Sequence, residues 1–165
     1  LLQSQILSVI YDLETFSIPV QQERFANVQS IGTNDGRTVT LTIHEPLPAM
    51  KKLTEAIEEH WKDMIHAAVR DAAQQESLPW FEKAFVEIEI ATPKGSNNSH
   101  VWDTSNRAIQ VILNNLKGIF FLDDNMEHMA FSVVGRWGES VGETTIRIYD
   151  FAQWRQIRLL LLESP

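Results

Sequence analysis

Apolar residues recur along this chain with two different periods, and the alternation between them outlines its elements. Leu2, Ile6, Ile10, Leu13 and Phe16 fall at helical steps and predict an N-terminal amphipathic helix. Ser17 to Asp35 is polar, contains Pro19 and ends in Thr-Asn-Asp-Gly, which reads as a linker or surface excursion closed by a turn. From Thr38 to His44 the period drops to two, with Val39, Leu41 and Ile43 on one face of a strand. The Glu45-Pro-Leu-Pro stretch ends it, because proline lacks a ladder donor. Met50, Leu53, Ile57, Trp61, Met64 and Ala68 then return to steps of three and four, giving a long helix that ends near Gln75. Val86, Ile88 and Ile90 alternate with Glu87 and Glu89 in a second strand, followed by a Gly/Ser/Asn loop over 93–100.

Asp103, Thr104 and Ser105 are all good helix caps, and Ile109, Ile112 and Leu116 supply the buried stripe behind them. Gly118 breaks that helix, and Ile119 to Leu122 reads as a short buried strand. Met129, Phe131 and Val133 alternate, the glycines at 135, 138 and 142 mark a hairpin loop, and Thr144 to Tyr149 pairs back. Phe151 to Leu162 predicts a last helix, with Trp154 and Ile157 on its apolar side. The predicted order is α, β, α, β, α, β, β, β, α. Consecutive strands near the end favour an α+β fold, helices packed on a small mixed sheet, over strict βαβ alternation. The expected division is an N-terminal helix and linker over 1–35 and a main domain over 36–165.

Composition narrows the function classes. The 165 residues suffice for one domain with a real core, and the apolar share of 44% is ordinary. No run approaches the ~18 apolar residues of a membrane span, and no secretory signal is visible, so no membrane partner and a cytoplasmic location are expected. The chain begins at Leu1 rather than Met, which points to residues upstream. With no cysteine, disulfide scaffolds, zinc ribbons and thiol catalysis are excluded. The net charge of −8 repels nucleic acid at long range. It is unevenly spread: residues 45–90 carry a net of −5, whereas 94–122 carry +2.

That mildly basic stretch also holds the candidate chemistry. The helix opening near Asp103 returns the chain so that Asp103 can approach Asp123 and Asp124, and carboxylates gathered from two connections can hold a hard cation. The same residues have a purely structural reading, with Asp103 as a cap and Asp123-Asp124-Asn125 as a turn. His100 lies in the loop before Asp103, and Lys51-Lys52 precedes the long helix; both are candidate phosphate contacts or simply solvated. No His-Glu-x-x-His, Walker, Gly-x-Gly-x-x-Gly or Gly-x-Ser-x-Gly motif occurs, which argues against a zinc hydrolase, a nucleotide-binding fold or a serine hydrolase.

Taken in order, the strand Val39 to Ile43, Pro46 and Pro48, Lys51-Lys52, the long helix, the alternating strand, Ile112-Leu-Asn-Asn-Leu-Lys-Gly118 and Phe121-Leu-Asp-Asp124 resemble the RusA-type Holliday junction resolvases. The resemblance covers Thr38 to Phe151. It implies a RusA-like α+β fold and a homodimer related to prophage and bacterial endonucleases of DNA recombination and repair. It also implies metal-assisted phosphodiester hydrolysis on branched DNA. On the matching positions it implies Mg²⁺ held by Asp103 and Asp124, Asp123 or Ser105 assisting, and DNA contacts from Lys51, Lys52, His100 and Arg107. The family's Asp-x-Asp-Asn-x-x-Lys helix start is incomplete here. In one register Ser105 replaces the second aspartate and Ile109 the lysine; shifted by one, Gln110 stands at the lysine. A nuclease with a weakened site and a non-catalytic DNA- or protein-binding module both follow from that pattern.

Overall fold

The structure is a computed structural model and describes residues 30–48, 53–94, 107–138 and 142–163. The elements are β1 (Ser30–Asn34), β2 (Val39–Ile43), α1 (Glu55–Gln75), β3 (Ala84–Pro93), α2 (Arg107–Leu116), β4 (Met129–Gly138), β5 (Glu143–Asp150) and α3 (Phe151–Glu163). The architecture is α+β: a five-stranded mixed sheet in the order β1-β2-β5-β3-β4, with three helices among the described residues. β3 and β4 run parallel, and every other pairing is antiparallel. No described helix is long and apolar enough to cross a membrane. The expected helix over 1–16 lies outside the described residues.

The core follows from the strand alternation. Val39, Leu41 and Ile43 of β2, Ile146 and Ile148 of β5, and Val86, Ile88 and Ile90 of β3 all face one side. There they meet Ile57, Trp61, Met64, Ile65 and Ala68 of α1 and Ile109, Ile112, Leu113 and Leu116 of α2. Thr54 caps α1, its side chain accepting from the Ile57 N–H at 3.3 Å. The opposite face carries one buried aromatic cluster. There Phe85 and Tyr149 are buried, and Trp154 of α3 stacks on Phe85 with ring centroids 4.6 Å apart. No residue of α3 is itself buried, so the packing expected of Ile157 is not found.

Four further expectations change. Residues 30–34, read as the end of a linker, form β1. Its helix-facing positions are Ser30, Gly32 and Asn34, whose small or polar side chains carry no strand signal. Gly32 lets α1 lie directly on the strand, for a Cβ there would sit 1.8 Å from the Ala68 carbonyl oxygen. α1 also closes this sheet edge: Asp71 accepts from the Gly32 N–H, and Gln75 accepts from the Asn34 N–H while donating to the Gly32 carbonyl. Second, Ile119 to Leu122 is not a strand but a turn with a single bridge between Lys117 and Phe121. Third, β4 runs on through Gly135 to Gly138, and β5 does not pair back on it; β5 lies between β3 and β2. Fourth, of the alternating residues Met129, Phe131 and Val133, only Met129 reaches the core.

Candidate functional site

The site is set by how the chain leaves α2. Gly118 takes φ +79, a backbone conformation costly for residues with a Cβ, and so ends the helix. The amides of Ile119 and Phe120 donate to the Leu116 carbonyl, and the Gly118 N–H donates to the Phe121 carbonyl at 2.7 Å. Phe120 and Phe121 are both fully buried, and the Phe120 carbonyl accepts from the Phe81 N–H. The turn is thereby anchored on its apolar side, and Leu122-Asp123-Asp124 is sent back along the exposed stripe of α2 made by Gln110, Asn114 and Lys117. These three are spaced by four and three residues and so share a helix face.

Asp124 is the focus of that stripe. Its Oδ2 accepts from Gln110 Nε2 at 2.6 Å, and its Oδ1 lies 3.3 Å from Lys117 Nζ. Lys117 Nζ is also 3.8 Å from Asp123 Oδ1. Asp123 Oδ1 accepts from the Asp124 N–H at 2.9 Å, and Gln110 Nε2 also reaches Asn114 Oδ1 at 3.3 Å. Asn125 completes the turn into β4, its Oδ1 accepting from the amides of Glu127 and His128. The Asp124 carboxyl is held below its ordinary value of 3.8, chiefly by hydrogen bonding with the Asp123 side chain, with slight burial opposing and Lys117 adding to the effect.

The predicted site residues divide as follows. Asp124 comes back to Gln110 in the first turn of α2, whereas the expected approach of Asp103 involves a residue outside the described ones. Asp123 is beside it, and Arg107 opens α2 with its side chain exposed. Asp103, Ser105, His100, Lys51 and Lys52 lie outside the described residues. The described first turn of α1 carries Glu55 and Glu58, which disfavour an anion at that helix end. Gln110, which one alignment register sets at the family's lysine position, touches Asp124 directly. Lys117 was not singled out from the sequence. Its signal is its place three residues after Asn114 and seven after Gln110 on one helical face, with the acidic pair six and seven residues beyond.

A hard divalent cation takes oxygen donors, and Mg²⁺ in particular keeps several waters and few protein carboxylates. Asp123 and Asp124 supply two carboxylates. Both oxygens of Asp124 already face donors, so a cation there must displace Lys117 or Gln110. Among the described residues no group of three or more His, Cys, Asp or Glu side chains could hold a metal ion. The described residues thus fit such an ion in part, with two carboxylates and a competing ammonium. No family model matches this chain, and no curated protein matches it either.

Proposed function

We propose that this chain is a divergent RusA-like, structure-specific DNA endonuclease, a homodimer acting on branched DNA by metal-assisted phosphodiester hydrolysis. The observation that carries the reading is the return of Asp124 onto the first turn of α2, directly after the stretch that resembles the family's metal motif. The α+β sheet with its parallel β3-α2-β4 crossover is compatible with it. On this reading Asp103 and Asp124 hold Mg²⁺ with Asp123 beside them, and Arg107, His100, Lys51 and Lys52 meet the phosphates. The ion would polarise a phosphoryl oxygen and lower the pKa of a bound water. The chain's own contribution is a carboxylate pair fixed by the α2 turn, together with Lys117 as the cation that the motif itself lacks.

The test is cleavage of a synthetic four-way junction with Mg²⁺ or Mn²⁺. The wild-type chain cuts, and D124N binds the junction without cutting. No cutting, together with no divalent-ion heat in calorimetry, overturns the enzyme reading. One observation favours a second reading, a non-catalytic DNA- or protein-binding module: Lys117 and Gln110 take both oxygens of Asp124 and leave it internally neutralised. Salt-dependent junction binding without cleavage supports the DNA form of that reading. No junction binding at low salt leaves a protein partner.

A further inference from the structure

Trp80 stands outside the core, 55% exposed, at the mouth of a groove of about 460 Å³ between two turns. One wall is made by residues 80–83, which lead into β3. The other is made by Leu122, Glu127 and His128, from the turn that leads into β4. The volume lies within the ~300–1,000 Å³ range of ligand sites. Backbone bonds tie the two walls together at two points. The Phe81 amide donates to the Phe120 carbonyl at 2.8 Å, and the Ala84 amide to the His128 carbonyl at 2.9 Å. Phe81 and Phe120 are buried. A groove braced in this way is formed before anything enters it, which lowers the ordering cost of binding. Leu122, on the second wall, is 64% exposed, so an indole and an aliphatic group are both open to an incoming ligand.

Charge decides what the groove takes. Glu82 and Glu127 put a carboxylate on each wall. Among the described residues that line it, the one ammonium is Lys83, whose Nζ sits 4.3 Å over the Phe151 ring centroid. The wall at Leu122 continues directly into Asp123 and Asp124, which share Lys117. A nucleobase could stack on Trp80, but its phosphates would meet these carboxylates. A cation is favoured by the two glutamates, by the negative face of the indole and by the net charge of −8. Of the cationic groups, a guanidinium fits best. It is planar, weakly hydrated, stacks on aromatic faces and offers forked hydrogen bonds to carboxylates, and its methylene stem suits Leu122. We infer that this groove binds an arginine-bearing peptide segment of a protein partner, the guanidinium on Trp80 and paired with Glu82 and Glu127. The inference goes beyond the nuclease reading and does not rest on it; the groove and the Asp123-Asp124 pair use different side chains.

The probe is a capped Gly-Arg-Gly-Arg-Gly peptide, titrated into the isotope-labelled full chain and followed by NMR. It contains no nucleic acid, so its failure and the failure of junction cleavage are separate results. Saturable shifts are expected at the Trp80 indole and at the amides of Leu122 and His128. Trp80→Ala abolishes the shifts at Leu122 and His128, and Trp80→Phe keeps them in part. Glu82→Gln and Glu127→Gln each weaken binding about two- to fivefold, the range of an exposed ion pair. All three side chains are exposed, so the variants keep the fold, and unchanged circular dichroism verifies this. The absence of any shift at millimolar arginine peptide overturns the proposal. So do equal shifts from a Gly-Glu-Gly-Glu-Gly peptide, or binding indifferent to both glutamine variants. Tighter binding of oligothymidylate at the same resonances also overturns it and makes the groove a nucleic-acid site.

Discussion

Replacing Gly32 by alanine tests whether α1 rests on β1 as described. The added Cβ would lie 1.8 Å from the Ala68 carbonyl oxygen, 2.8 Å from its carbon and 3.0 Å from the Ala72 nitrogen. All three are backbone atoms in mid-helix and cannot rotate aside. Non-bonded carbons settle at about 3.5–4.0 Å, so α1 must lift from the strand by more than about 1 Å. Overpacking of this kind costs about 1–3 kcal/mol. The lift also pulls apart the Gly32–Asp71, Asn34–Gln75 and Gln75–Gly32 bonds, at 2.9, 3.1 and 2.8 Å, each worth about 0.5–1.5 kcal/mol. A loss of about 3–5 kcal/mol is expected, a large share of the ~5–15 kcal/mol typical of a domain. Urea denaturation followed by circular dichroism measures it. Gly118→Ala is the internal comparison: nothing lies within 4 Å of its added Cβ, and only the positive φ opposes it, at about 1–2 kcal/mol. If Gly32→Ala costs no more than Gly118→Ala, α1 does not bear on β1 at this point, and the account of the closed edge fails with it.

Other expectations concern charge. Lys117→Ala raises the titration of Asp124 toward its ordinary 3.8, read by carboxyl-carbon NMR, and increases divalent-ion binding if the pair is a metal site; an unmoved Asp124 would mean the lysine is incidental. The Arg136 guanidinium holds Glu89 below its usual 4.5, so the stability from this pair is present above that value and lost as pH falls through the depressed one. Arg136→Ala should therefore flatten this part of the acid limb of stability, and an identical limb would refute the contribution. Burial, then the bond to Glu87 at 2.6 Å, pushes the Tyr149 phenol up, so its contribution is full below about pH 10 and declines as pH rises beyond it. Tyr149→Phe removes that alkaline decline and costs about 1 kcal/mol near neutrality; ultraviolet titration and melts check both.

Much of the sheet was legible because three strands are half-buried in the simplest way. Val39-Leu41-Ile43, Val86-Ile88-Ile90 and Ile146-Ile148 alternate, and each set faces the core. β1 was hidden because the residues beneath α1 are Ser30, Gly32 and Asn34, chosen by close approach and hydrogen bonding rather than by hydrophobicity. The apolar run Ile119 to Leu122 misled in the opposite sense. Phe120 and Phe121 are adjacent and both fully buried, which a turn pressed into the core allows and a strand with one covered face does not. β5 could not be placed from its neighbours in sequence, since its partners are β2 and β3 rather than β4. At the site, the acidic pair was visible as composition. That Lys117 and Gln110 meet Asp124 depends on the course of the turn after Gly118; the glycine marked the end of the helix but not which side chains the turn brings together.

That reversal has a consequence for descent. Asp124 is aimed by Gly118, by the buried rings of Phe120 and Phe121 and by backbone bonds to Leu116 and Phe81, none of which takes part in any chemistry. The carboxylate is a passenger on a loop of set length. A point change at 124 alters what the loop carries while the folding unit passes intact to the next generation, whereas one residue inserted between Gly118 and Asp124 would misdirect whatever side chain the loop carries.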